Sequence, residues 1–518
     1  MGDHDDRLAE LAQTFWYHDI PALGIPGASN WQSDWSSCLE GIGKVYLVVE
    51  PDEAGEGLWN RVGTSELRDC LYRVKLDGAK DASELHLQDA ERFGERFSTA
   101  LENAVAWMDV AKEEANRRTR EAWERCADLA HDEDILGQFA SDLARSGVAG
   151  EQRIAKLLYL AVTSRLLQKP VSVAVKGPSS GGKSYLAERV LDFFPESAYY
   201  ALTSMSEHAL AYSEEPLSHR TLVIYEASGM EGDMQTYLIR TLLSEGRLRY
   251  ETVEKTSEGI KARLIEREGP TGLIVTTTAT RLHPENETRL ISLTVTDTQD
   301  QTRDILAALA KETVETVGLE PWLALQTWLQ HAEHRVTVPY ARTLAAMVPP
   351  VAVRLRRDFG AVLNLIRTHA VLHQACRDKD DDGRIVAAFE DFARVRELVV
   401  DLVSAGVGAT VKPEVRQTVE TVRRLLEGGG QHVTRKQLQA ELELDRSSVT
   451  RRCQAAIEDG YLKNLEERKK QAARFVLGDD MPDDLEVLPT VEDLKERFFG
   501  TAEEKVADAL GKAWTTVA

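Results

Sequence analysis

Val171-Ser172-Val173-Ala174-Val175-Lys176-Gly177-Pro178-Ser179-Ser180-Gly181-Gly182-Lys183-Ser184 is a β-rich apolar run that breaks into a glycine-rich loop. It fits G-x-x-x-x-G-K-S/T, and Tyr185-Leu186-Ala187-Glu188-Arg189-Val190-Leu191 behind it carries a helical pattern. Strand, loop and helix in that order are the setting this motif needs. Glycines at 177, 181 and 182 let the backbone curl so that amides face a phosphate chain, and the following helix adds its positive end. Gly177, Pro178, Ser179, Ser180, Gly181, Gly182, Lys183 and Ser184 form the expected cradle. Lys183 reaches the β- and γ-phosphates, and the Ser184 hydroxyl sits on Mg²⁺. The stretch predicts binding of a nucleoside triphosphate, with ATP and Mg²⁺ as cofactors.

Hydrolysis needs a carboxylate at the end of a neighbouring strand. His219-Arg220-Thr221-Leu222-Val223-Ile224-Tyr225-Glu226 supplies an apolar strand ending in an acid. The usual pattern ends in two acids, and here Tyr225 precedes a single Glu226. Either the strand runs one residue longer and Glu226 is the metal-side acid, or Tyr225 replaces that acid and Glu226 polarises water. A catalytic role for Glu226 follows either way.

Gly246–Glu254 and Ile260–Ile265 alternate around a Ser257-Glu258-Gly259 turn and read as a β-hairpin. Gly272-Leu273-Ile274-Val275-Thr276-Thr277-Thr278 then reads as a buried strand ending in hydroxyls. A hydroxyl there contacts the γ-phosphate or orients water. Arg289 follows, just ahead of Ile291-Ser292-Leu293-Thr294-Val295.

This order of loop lysine, Glu-ending strand, hairpin, Thr-ending strand and arginine resembles AAA+ ATPases. The hairpin placement resembles the MCM helicase branch, as does Arg357–Ala370, where an arginine lies twelve residues before His369-Ala370. The resemblance implies Thr277 as first sensor and Arg289 as a finger acting on a neighbouring subunit's nucleotide. It places the second sensor on Arg357, with Arg354 and Arg356 as rivals, and implies a ring, a homo-hexamer. A narrower resemblance, to the ATPases of phage and mobile-element primase–helicases, rests on residues 204–230, 268–282 and 297–306; with the lid it covers roughly 130–425.

Length and composition fit this reading. At 518 residues the chain suggests about three or four domains. Hydrophobic residues at 43% suffice for real cores. The first residues are acidic where a signal peptide is basic, and no apolar run approaches about 18 residues, so a cytoplasmic protein without membrane spans is expected. Five scattered cysteines without a C-x-x-C pair read as reduced thiols. A formal charge of −22 argues against a basic coat, although charge is segregated. Residues 432–475 carry ten Lys/Arg against seven Asp/Glu, a net of +3; from Asp479 on, eleven acids face four bases, a net of −7.

Near the N-terminus, Ile20–Ala28 reads as a strand and turn, and Lys44–Val49 as a buried strand ending in Glu50-Pro51-Asp52. Acids so spaced at a strand end can clamp Mg²⁺. With Asp81 further on, the region resembles the Toprim domain of primases and topoisomerases. The glutamate of that family's first strand has no counterpart here, nor has its zinc module, so a truncated, catalytically dead remnant is expected. The alternative is an acidic loop that holds no metal.

Near the C-terminus, a helix capped by Thr434, a second helix opening at Asp445-Arg446-Ser447-Ser448 and a β-like pair give the winged-helix order. Arg446, Ser448, Arg451 and Arg452 on the second helix, with Ser447 beside them, would meet duplex DNA, and Lys469 and Lys470 its phosphates. Arg249, Lys261 and Arg263 on the hairpin, with Lys255, would grip a single strand in the pore.

The expected fold is multidomain α/β. Its parts are a degenerate Toprim-like domain (1–100), a helical linker (101–130), an AAA+ P-loop core with a hairpin insertion (131–310), a helical lid (311–425), a winged helix (426–478) and a solvated acidic tail (479–518). The expected function is an ATP-hydrolysing, ring-forming DNA motor of a replication module. Rival readings are an ATP-switched DNA-binding regulator, a working Toprim enzyme, and a nucleotide-dependent scaffold or defence protein.

Overall fold

The computed structural model describes residues 12–500 except 26, 28, 207–208, 214, 227–232, 257–258, 279–288, 296–297, 311–315, 409–410, 412, 467–470, 480 and 482–485. The chain divides into two compact units, Met1–Glu121 and Ala122–Ala518.

In the first unit, β1 (Val45–Val48), α1 (Glu53–Gly63) and β2 (Leu71–Val74) form a β-α-β element with parallel strands, Val45 opposite Leu71. After α2 (Ala82–Gln88) and α3 (Phe93–Glu102), β3 (Val105–Ala106) pairs antiparallel to β2. Alternate side chains go to opposite faces of a strand. Accordingly Val48 and Val74 join one apolar cluster with Phe15, Leu85, Phe93 and Phe97, while Leu47, Val49 and Leu71 join another with Trp59 and Val62. The expected strand across Ile20–Ala28 is corrected: residues 19–25 are in neither strand nor helix, and Pro21 has no amide to give a ladder.

Of the expected linker (101–130), residues 101–102 end α3 and 105–106 form β3; from Trp107 on it is one helix, α4 (Trp107–Ala130), and the division between the units falls within it. Ala122, Cys126 and Ala130 are buried in the core of the second unit. That core is built on α5 (Ile135–Arg145), α6 (Gln152–Thr163) and a five-stranded parallel sheet. The strands are β4 (Val173–Lys176), β5 (Tyr199–Leu202), β6 (Arg220–Ile224), β9 (Thr271–Thr277) and β10 (Ile291–Thr294), in the order β10-β4-β9-β6-β5. Every residue of β4 and β9 is buried, as continuous apolar runs become when both faces of a parallel sheet are covered. Helix α7 (Lys183–Leu191) follows β4, and α8 (Asp233–Glu245) lies between β6 and the hairpin.

The hairpin strands β7 (Arg247–Thr256) and β8 (Gly259–Glu268) pair antiparallel along their whole length. Leu248 anchors the root at 0% exposure, whereas Val253 is 71% exposed further out.

The lid helices α9 (Glu320–His331), α10 (Leu355–Leu372) and α11 (Phe389–Gly408) share the core of the sheet. Trp322 of α9 meets Phe193 and Tyr159 at ring distances of 5.5 and 5.8 Å.

Two expected boundaries move. Helix α12 (Pro413–Glu427), expected in the lid, packs Val415, Val419 and Val422 against Leu438, Val449 and Phe475, and so belongs to the C-terminal module. That module adds α13 (Arg435–Leu442), α14 (Arg446–Glu458) and an antiparallel ribbon, β11 (Leu462–Asn464) with β12 (Phe475–Leu477). The acidic tail is not wholly solvated: Val487, Leu488 and Leu494 are buried in the main core, and Arg396 of α11 donates to the Pro489 carbonyl at 2.7 Å. Six large apolar residues outweigh charge in placing this segment: Val487, Leu488, Val491, Leu494, Phe498 and Phe499 all fall within 486–500.

Candidate nucleotide site

Strand β4 delivers the glycine-rich loop to the middle of the sheet edge. Gly177 sits at φ +157°, and a Cβ there would lie 2.2 Å from Val295 Cγ2, so the close crossing of β10's end demands glycine. Ser180 at φ +66° and Gly182 at φ +74° turn the chain into α7. The first-turn amides of α7, which have no partner within the helix, therefore open onto the loop. Lys183 is buried and donates from Nζ to the Pro178 carbonyl at 2.6 Å, lying across the loop it belongs to. Left-handed loop residues, helix amides and a loop lysine are the donor set a polyphosphate requires.

Because β9 lies between β4 and β6, its end stands between the loop and Glu226. Thr276 Oγ1 lies 3.4 Å from Ser184 Oγ and accepts the Glu226 amide at 3.0 Å. Glu226 itself has φ +68°, a left-handed conformation that is uncommon outside glycine and clusters at functional sites. Thr277 is buried, and its carbonyl accepts the Gly177 amide at 3.2 Å, tying the start of the loop to β9.

Tyr225 is half-buried against the main core. Burial pushes its phenol up to about 12, and Glu188, Tyr199 and Asp192 add to that. It is a neutral phenol near pH 7 and carries no negative charge there.

The arginines lie further out. Arg289 donates to Ser244 Oγ of α8 at 2.8 Å. Arg354 pairs with Asp358 at 3.0 Å, while Arg356 and Arg357 are exposed in the first turn of α10. Burial raises the Asp358 carboxyl above its usual value against the pull of Arg354. Deeper in the lid, Asp391 accepts His369 Nδ1 and Arg377 Nη2 at 2.7 Å, Arg377 Nε at 3.1 Å and the Ala388 amide at 2.7 Å. With His373 these make the one group of metal-binding side chains close enough to share a cation among the described residues. Four donors already fill the Asp391 carboxylate.

Of the expected nucleic-acid contacts, Lys261 and Arg263 are exposed on β8, and Arg249 pairs with Glu266 across the hairpin at 2.5 Å. The Lys255 side chain lies outside the described residues. In the C-terminal module Asp445 caps α14, accepting the Ser447 and Ser448 amides at 2.8 and 3.0 Å. Arg446 and Arg451 are exposed, Ser448 is partly so, and Arg452 reaches Gln417 of α12 at 2.9 Å. Lys469 and Lys470 lie outside the described residues.

In the first unit, Asp52 accepts the Gly55 amide at 2.8 Å and caps α1, and Asp81 caps α2 in the same way at 2.8 Å. Glu50 lies 3.5 Å from Lys80 Nζ. These acids have local structural partners.

Residues 132–320 match the family model of the MTBMA_p00010 P-loop domain. This stretch is a P-loop domain. It contains the loop, Glu226, Thr276 and Arg289 together. Among solved structures, a full-length MCM homolog from Methanopyrus kandleri is similar at 15% identity and a TM-score of 0.36. The alignment covers 54% of this chain and 61% of that one, so the chain spans about three fifths of its length. No curated protein matches. Among the described residues no helix is long and apolar enough to cross a membrane.

Proposed function

We propose that the chain is an Mg²⁺-dependent ATPase that works as a ring-forming motor on DNA. The observation that carries the ATPase reading is the meeting of the first turn of α7 with the ends of β9 and β6. Ser184, Thr276 and Glu226 come together beside a glycine loop whose lysine and helix amides suit a triphosphate. Lys183 and Ser184 hold the β- and γ-phosphate end and its Mg²⁺, which supplies charge neutralisation there. Glu226, the carboxylate at this strand end, accepts the proton of the attacking water. Thr277 is the first sensor in this reading, Arg357 the second, and Arg289 acts on the nucleotide of the next copy in a homo-hexamer.

Action on DNA is supported by two features that carry exposed basic side chains. The hairpin carries Arg249, Lys261 and Arg263, and the C-terminal module has the helix order and two-stranded ribbon of a winged helix. In that module α14 enters the duplex groove with Arg446, Ser448, Arg451 and Arg452. The first unit is a Toprim remnant in which Glu50 and Asp52 serve structure, and the protein is cytoplasmic.

Strand displacement from a forked DNA duplex tests this reading. Native protein with ATP and Mg²⁺ should release the labelled strand, and Lys183→Ala should not. Sequence-specific duplex binding without release would favour the regulator, in which ATP only switches assembly.

A further inference from the structure

A P-loop hydroxyl that faces Mg²⁺ turns its lone pairs to the cation, so its proton needs an acceptor behind it. In P-loop NTPases the neighbouring strand ordinarily supplies an aspartate beside the metal. Here the strand offers Tyr225, a neutral phenol packed against the core, and then Glu226. The atom that does stand behind Ser184 is Thr276 Oγ1, 3.4 Å away on a residue with no exposed surface.

That oxygen has a second task. It accepts the amide of Glu226 at 3.0 Å, and Glu226 is the residue held at φ +68°. A hydroxyl has two acceptor lone pairs. One bonds the Glu226 amide, and the other can accept the Ser184 proton, although either hydroxyl of that pair can donate. A single buried hydroxyl thus links the cation-facing serine to the backbone of the water-activating glutamate. Thr277, the next residue, ties down Gly177 through its carbonyl.

We infer that Thr276 is a positioning residue, whose hydroxyl both orients Ser184 toward Mg²⁺ and holds Glu226 in its left-handed conformation. The inference rests on the nucleotide-site reading above. It goes beyond it by assigning the orienting task of the missing strand acid to a hydroxyl on the adjacent strand. The arrangement couples cation binding to the placement of the base: where Ser184 turns, the Glu226 amide loses part of its anchor.

Thr276→Val keeps the shape and removes the hydroxyl, and Thr276→Ser restores it. Binding of a fluorescent ATP analogue, with and without Mg²⁺, separates the effects from folding and from turnover. Removing a partner that orients a metal ligand ordinarily weakens metal binding by about 10- to 100-fold. Accordingly Thr276→Val should need at least about tenfold more Mg²⁺ to tighten nucleotide binding. Its Mg²⁺-free affinity and melting temperature should match the native protein, and kcat should fall more than KM rises. Thr276→Ser should recover most of the Mg²⁺ dependence. A Val variant with native Mg²⁺ dependence and native kcat would overturn the inference while leaving the ATPase reading intact. Failure of the native protein to bind the nucleotide at all would instead remove that reading.

Discussion

Glu226 and His373 are the two residues where local physics makes the sharpest demands. Glu226 occupies a left-handed conformation beside the loop, and Thr276 anchors its amide. In its proposed role as the base for water its loss should be chemical: Glu226→Gln should bind ATP as the native chain does and hydrolyse it about 100-fold or more slowly. Equal loss of binding would show that the acid holds the metal before it activates water. His373 is a different case. Burial pushes its imidazole down to about 3, and its stacked neighbour His369 adds to the effect. The unfolded chain therefore binds a proton between about pH 6.5 and 3 that the folded lid refuses, so stability should be level above pH 6.5 and fall as pH drops toward 3. Urea midpoints measured across that range should show a shallower decline in His373→Gln. An equally steep decline would assign the effect to other groups.

At the scale of elements, caps and apolar faces decide what forms. Thr434 and Gln437 make a reciprocal capping box at the start of α13. Thr434→Ala should cost about 1 kcal/mol, seen as a roughly fivefold loss of amide-exchange protection across Arg435–Leu442; unchanged protection would discount the cap. These elements were legible in the sequence because their signals are local. The loop and its helix follow from glycine spacing, the hairpin from alternation about Gly259, and the C-terminal module from a cap and two helical periods. What could not be read was pairing. Thr276, Thr277 and Thr278 are identical letters in a row, and only the insertion of β9 between β4 and β6 selects Thr276 to face both Ser184 and Glu226. Helix α12 was misassigned for a similar reason: its valine stripe is plain, but the stripe does not name the core that receives it. Glu50 and Asp52 have the spacing of cation ligands and Asp81 matches a Toprim acid, yet helix capping uses an aspartate at the same places, 52 and 81.

For the whole molecule, the acidic segment 486–500 is an integral part of the second unit. Charge along 479–518 pointed to solvent, yet Val487, Leu488 and Leu494 are buried with the lid helices, and Phe498 packs on Phe389 at 5.6 Å. Each such side chain contributes about 1.5–3 kcal/mol by burial. A chain ending at residue 485 should therefore melt several degrees lower, and an unchanged melting temperature would contradict this packing. The same unit carries the nucleotide site, the hairpin and the C-terminal module, so hydrolysis at one should respond to DNA held by the others. The central claim is that ATP turnover is coupled to DNA, and the rate of ATP hydrolysis with and without single-stranded DNA tests it most directly. The native chain should be stimulated several-fold, and Lys183→Ala should be inactive under both conditions. Hydrolysis in the native chain that is indifferent to every form of DNA would contradict the motor and leave a nucleotide switch or scaffold in its place.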